Sequence, residues 1–312
     1  MKLDAVIYGE DFAAALASFI LSKRGYRVLM THKAPRLSEK HLYTPFTTAW
    51  SRCLVALGVP ADMFTEAERL HVVLGGEPPA HLTPLIAVCV GNMRRMSEWL
   101  VANGEAELYL WCRGFSWKRG SGGVNWTLSR RGAAAVAGSA STLIFTDPEA
   151  GGMEVAVTTS PNRDGRGSLI NLSGANPLLT VRHGKHLTSL HIGSHHAYDC
   201  ISVSRVPLPT EIKTGEPPYI RVGLPSGLVV PPWIGDYLAA SALLGVMIAE
   251  TWAGSPSIDH EVLSYMAELR AQSQLDLQVV GDLLSKRQGS LTLRHVGEAL
   301  EPPRPPPFNY KL

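Results

Sequence analysis

Residues 4–33, DAVIYGEDFAAALASFILSKRGYRVLMTHK, constrain this chain more than any other stretch. Ala5, Val6, Ile7 and Tyr8 form a short apolar run that stops at Gly9, the pattern of a buried parallel strand. Phe12, Leu16, Phe19 and Ile20 then recur at helical spacing among alanines. Gly25 stops that helix, and Val28, Leu29 and Met30 read as a second buried strand. Strand, tight turn, helix and strand in this order predict an α/β fold that opens with a Rossmann-like domain.

The same stretch resembles the start of the FAD-dependent oxidoreductase superfamily, the amine oxidase, desaturase and monooxygenase type. In that family a G-x-G-x-x-G turn is followed by a helix, a glycine and an acidic residue closing the second strand. Here Gly9 takes the first glycine and Gly25 the glycine before the second strand. The second glycine falls on Asp11, the third on Ala14 and the ribose-binding acid on His32, so the fingerprint is degenerate. The resemblance implies that FAD would run past Gly9, Asp11, Phe12 and Ala14 toward His32 and Lys33. Each change has a physical consequence. A side chain at the second glycine interferes with backbone approach to the pyrophosphate. Asp11 also puts a carboxylate at a helix N-terminus, where it serves equally as a cap. Ala14 is a mild change, whereas His32 cannot accept two ribose hydroxyls as a carboxylate does. With Lys33 beside it, His32 favours a phosphate instead.

The resemblance returns more loosely near the C-terminus. The family closes with a proline-containing strand, a strand ending Gly-Asp and a helix of small residues under the flavin. Residues 203–209, 219–223 and 239–249 take those places in order. Gly223 matches the glycine, Leu224 stands where the family has its acid, and Asp236 could substitute if residues 225–233 fold back. In size the chain is close to the small renalase-like members.

Between these ends, residues 50–57 and 93–103 read as helices. Residues 70–74, 108–117, 124–128 and 143–147 read as strands. Residues 151–215 alternate Thr, Ser, Val and His in short runs broken by Pro161, Gly165, Gly167 and Gly174, the signature of antiparallel sheet. The expected division is a discontinuous Rossmann-like domain at 1–150 and 216–254, with a smaller β-rich domain for substrate or partner at 151–215. Residues 255–312 supply a C-terminal helix over about 257–286 and a proline-rich tail. That tail, EPPRPPPFNYKL, favours polyproline II. It reads as a disordered end or as an arm lying across a partner or a dimer mate.

Composition excludes several classes. The chain is 45% hydrophobic and 18% charged, which fits a globular core and not a disordered chain. A net charge of +2 without a basic run argues against nucleic acid as a partner. The longest apolar stretch, residues 237–249, is too short for a membrane span, and no signal peptide is visible, so a cytoplasmic location is expected. Cys53, Cys89, Cys112 and Cys200 are scattered without a C-x-x-C pair and read as buried apolar residues. His183, His186, His191, His195 and His196, with Asp199 nearby, match no metal-ligand spacing, so no metal is expected and the cluster reads as a polar strand face.

Two functions from different classes follow. One is a flavin-dependent oxidoreductase in which FAD takes hydride from a small organic substrate or a protein residue. No catalytic residue is assigned from the sequence. The other is a flavoprotein-fold chain without cofactor that serves as a binding, scaffold or accessory subunit, with an oligomer or hetero-complex formed through the C-terminal helix and tail. No Ser-His-Asp, G-x-S-x-G or P-loop pattern supports a hydrolase or kinase.

Overall fold

The computed structural model describes residues 1–34, 43–73, 86–130, 134–147, 153–171, 178–192, 200–208, 211–254, 259–284 and 301–306. Its parallel core reads, in spatial order, Tyr219–Arg221, Val136–Phe145, Lys2–Tyr8, Val28–His32 and Glu107–Leu110. The apolar runs account for it. Val6, Ile7, Leu29, Met30, Leu143, Ile144 and Ile220 are buried, as parallel strands covered on both faces must be. Tyr8 lies opposite Phe145 on one side and Thr31 on the other. That register brings Gly9, His32 and Asp147 out together at one end of the sheet.

One face of the sheet carries the helix Phe12–Lys23, buried from Phe12 to Ser22. It is rich in alanine because it is pressed between the sheet and the helices Met93–Asn103 and Ile234–Gly254. Ile234–Gly254 is long and apolar enough by composition to cross a membrane, but 89% of its apolar window is buried inside the protein. It is the central core helix. Its Gly245 has no room for a side chain, since a methyl there would sit 2.5 Å from a Val222 methyl.

The other face is covered by an antiparallel meander, Cys112–Gly120 and Gly123–Arg130, which leads into the first half of Val136–Phe145. Between meander and sheet runs a ladder of rings: Tyr8 stacks on Phe115 at 4.8 Å and Phe145 at 5.4 Å, and Trp117 stacks on Tyr219 at 4.8 Å. The single strand expected over residues 108–117 is in fact two, Glu107–Leu110 and Cys112–Gly120. Trp111 separates them with φ at 65°, and its N–H donates to Ala34 O at 2.9 Å.

Residues 153–208 form most of a second sheet in the order Ser202–Leu208, Met153–Pro161, His186–Ile192, Leu179–His183, Leu169–Asn171 and His71–Val73. All its pairs are antiparallel except the last, where His71–Val73 runs parallel to Leu169–Asn171. A third sheet, Tyr43–Thr47, Ala87–Asn92 and Glu68–Arg69, is antiparallel throughout.

The C-terminal helix spans His260–Leu284. Ser273 Oγ donates to Leu228 O at 2.9 Å, and Tyr237 OH donates to Asp276 Oδ2 at 2.6 Å in the core. Burial pushes the Asp276 carboxyl up to about 8. In the tail, residues 301–306 are not a free end. Residues 301–306 lie back on their own chain, where Pro303 O accepts from Trp50 Nε1 and Arg304 O accepts from Tyr265 OH at 3.1 Å. Pro303 and Pro306 are buried by that contact. Residues 285–300 and 307–312 lie outside the described residues.

Candidate functional site

The candidate site is the end of the parallel sheet where the turn at residues 9–12 meets the ends of the second and returning strands. Gly9 is there for packing: a methyl group on it would lie 1.7 Å from Thr146 Oγ1. Asp11 is the N-cap of the first helix and accepts from Ala14 N at 2.9 Å. A donor that an anion would otherwise use is thereby satisfied internally. Phe12 is buried and meets Phe46 edge-on at 6.2 Å.

Gly223 and Leu224 face this turn across a narrow gap. Gly223 has φ at +66°, and a methyl on it would sit 3.1 Å from Ala13 Cβ and 3.3 Å from Asp11 Oδ2. The two loops between which a pyrophosphate would pass thus approach to within about one methyl group. Leu224 is buried and opens a short 3-10 turn, Leu224–Ser226, and Gly223 N donates to Ser241 Oγ at 2.8 Å.

His32 is 1% exposed and is held between two carboxylates. Its Nδ1 lies 2.6 Å from Glu10 Oε2, and its Nε2 lies 3.5 Å from Asp147 Oδ1. Lys33 Nζ, at the exposed rim, lies 3.4 Å from Asp147 Oδ2. Burial opposes the charged ring, yet the contacts with Asp147 and Glu10 outweigh it and hold the His32 pKa above its ordinary value. The His32 contact leads the causes that keep the Asp147 carboxyl below its usual range, with Lys33 adding to it. When protonated, His32 with Lys33 balances Glu10 and Asp147 through charge contacts, not hydrogen bonds. Among the described residues Glu10 Oε2 and His32 Nε2 are buried with no hydrogen-bond partner. Once neutral, the ring can instead accept from Ala34 N at 3.1 Å through Nδ1. The Tyr8 ring lies 5.3 Å from the imidazole, and burial with the Asp147 charge pushes its phenol up to about 12.

Asp236 does not join this group. Asp236 Oδ1 accepts from Thr47 N at 3.0 Å, at the end of the strand Tyr43–Thr47. Full burial pushes its carboxyl up to about 8, against the stabilising Thr47 donor. Gly9, Asp11, Phe12 and Ala14 thus lie on the turn and the first turn of the helix, Gly223 and Leu224 approach that turn, and His32 and Lys33 end the second strand, whereas Asp236 is held apart by Thr47. Sequence reasoning missed Glu10 and Asp147, the two residues that define the state of His32. The available signal was the parallel register of the first and returning strands, which sets both carboxylates at the same end.

Of the histidines in the β-rich sheet, His183 faces His186 across adjacent strands with ring centroids 5.7 Å apart. His191 Nε2 lies 3.2 Å from Thr158 Oγ1, while residues 193–199 are outside the described residues. Among the described residues no three His, Cys, Asp or Glu side chains converge as a metal site. Cys53, Cys89 and Cys112 are buried thiols.

No protein-family model and no curated protein matches the chain. Solved structures do. A geranylgeranyl bacteriochlorophyll reductase-like protein from Thermoplasma acidophilum superposes with TM-score 0.67 at 14% identity, over 96% of this chain and 90% of that one. The p-nitrophenol 4-monooxygenase PnpA from Pseudomonas putida gives TM-score 0.66 at 10% identity, over 96% and 92%. The flavin-dependent monooxygenase PieE, solved with FAD and substrate, gives TM-score 0.64 at 12% identity, over 96% and 72%.

The fold is that of the FAD-dependent oxidoreductases.

Within that flavoprotein fold, the residues of this chain do not fit FAD laid across the turn. The gap between Asp11 and Gly223 is about one methyl group wide, the helix N-terminus is capped by Asp11, and Glu10 adds a second carboxylate beside it. At the end of the second strand the imidazole of His32 fills the space between Glu10 and Asp147. A diphosphate would meet carboxylates where it needs donors.

Proposed function

We propose that this chain is a flavoprotein-fold protein whose dinucleotide cleft has become an internally paired part of the core, and that it works as a binding or accessory subunit. The observation that carries this reading is the His32 cluster. The position that the resemblance assigns to a ribose-binding acid holds a buried imidazole with Glu10 at 2.6 Å and Asp147 at 3.5 Å. A dinucleotide would have to displace that pairing before it gained any contact of its own.

A second reading is supported by the fold match over 96% of the chain to a flavin-dependent monooxygenase. It makes the protein a flavin-dependent oxidoreductase for a small organic substrate or a protein residue. The two readings divide on a direct measurement. Purified protein should show no visible flavin absorption, and titration with FAD should give no saturable signal. Asp11→Gly should lower stability by only a few tenths of a kcal/mol, since glycine still caps a helix tolerably, and should create no flavin affinity. Flavin absorption in the wild type, or saturable FAD uptake that tightens in Asp11→Gly, would return the protein to the enzymes.

A further inference from the structure

Away from the cleft, a cavity of about 550 Å³ opens at the edge of the central sheet, where Gly215–Glu216 and Tyr219–Arg221 turn back against the C-terminal helix. Its wall holds three cationic side chains, Arg119, Lys213 and Arg270, and one carboxylate, Glu216. An excess of positive charge around a concave, partly apolar space attracts small anions.

The cations are positioned from different elements. Arg270 stands on the C-terminal helix and donates to Thr214 Oγ1. Its guanidinium adds positive charge to the cavity wall. Arg119, from the meander, donates one arm of its fork to Pro217 O at 2.7 Å. A guanidinium carries further donors in the same plane. Lys213 pairs with exposed Glu211 at 2.9 Å, a contact worth little and readily exchanged.

The remaining wall is aromatic. Trp117 stacks on Tyr219 with centroids 4.8 Å apart and planes within 11°, and Arg221 lies 5.6 Å from the Tyr219 ring centre. Trp117 is nonetheless 37% exposed, so part of the indole is accessible beside the cavity. Exposed tryptophan backed by a stacked ring is a surface on which planar molecules stack.

We propose that this cavity binds a small anion carrying a planar ring, an aryl phosphate or aryl carboxylate, with the ring on Trp117 and the anionic group among Lys213, Arg119 and Arg270. The site is independent of the dinucleotide cleft and stands whether or not flavin binds there.

The test is calorimetric titration of the full chain at low salt with phenyl phosphate, benzoate and inorganic phosphate. At least one ring-bearing anion should bind saturably and about tenfold more tightly than inorganic phosphate. Whether phenyl phosphate or benzoate binds more tightly assigns the anionic group. Lys213→Ala and Trp117→Ala, both at exposed positions, should each weaken that binding about tenfold. Lys23→Ala, a remote exposed cation, should leave it unchanged. Absence of binding by both ring-bearing anions, equal binding of inorganic phosphate, or unchanged affinity in Lys213→Ala and Trp117→Ala would overturn the proposal.

Discussion

His32→Leu should cost about 3 kcal/mol of folding stability at neutral pH, one of the largest single losses expected outside the apolar core. Leucine keeps most of the volume but removes the cation that Glu10 and Asp147 share. Removing one partner of a buried charged group leaves the others uncompensated, which is why the penalty exceeds the net worth of the pairing. The figure sits at the lower end of the usual range because Lys33 still neutralises Asp147 from the rim. A pH profile separates this from simple packing loss. The His32 pKa is raised on folding, so its contribution is fully present below the ordinary histidine value of about 6.5 and is lost as pH rises through the folded value. The Asp147 pKa is lowered, so its contribution is present above the ordinary aspartate value and lost as pH falls through the folded one. Wild-type stability should therefore decline on the alkaline side of that window, and His32→Leu should remove the decline. Denaturant melts of both proteins across pH check this. Equal stability at neutral pH, or the same alkaline slope in both, would mean that the cluster is not an ion pair network.

The parallel sheet was legible because burial on both faces forces apolar runs, and the runs at Val6-Ile7, Val28-Leu29-Met30 and Leu143-Ile144-Phe145 admit little else. Helix Met93–Asn103 was legible to its ends, since Asn92 caps it and Gly104 follows it. The break at Trp111 was not, because tryptophan is a good strand residue and the break depends on a distant acceptor, Ala34 O. Recruitment of His71–Val73 to Leu169–Asn171 likewise joins segments far apart in sequence. The composition of the tail spoke for an extended conformation but could not reveal its docking on Trp50 and Tyr265. At the site, individual substitutions at Asp11, His32 and Leu224 were visible one by one. Their joint meaning was not, because it rests on Glu10 and Asp147 converging on His32 in space.

Gly9→Ala should destabilise the protein by about 3 kcal/mol, at the upper end of overpacking costs. This is the second large effect, and it bears on why a nucleotide-like frame persists around a closed cleft. The added methyl would lie 1.7 Å from Thr146 Oγ1 and 3.0 Å from Thr146 Cβ. Thr146 cannot retreat easily: it is fully buried, and its N–H is fixed to Tyr8 O at 2.9 Å. Gly9 is itself held, its N–H donating to Thr31 O at 3.0 Å. Glycine is thus demanded by the meeting of three adjacent strand ends, with no phosphate required. Thr146→Ala removes the closest atom, and among the described residues that hydroxyl has no hydrogen-bond partner to lose. The double change Gly9→Ala with Thr146→Ala should recover more than about 1 kcal/mol of the loss, a coupling within the range for residues in contact. Thermal and denaturant melts of the two single variants and the double variant give the cycle. If Gly9→Ala were tolerated without loss, or if Thr146→Ala rescued nothing, the glycine would have to be explained by ligand approach, and the case for a closed cleft would weaken with it.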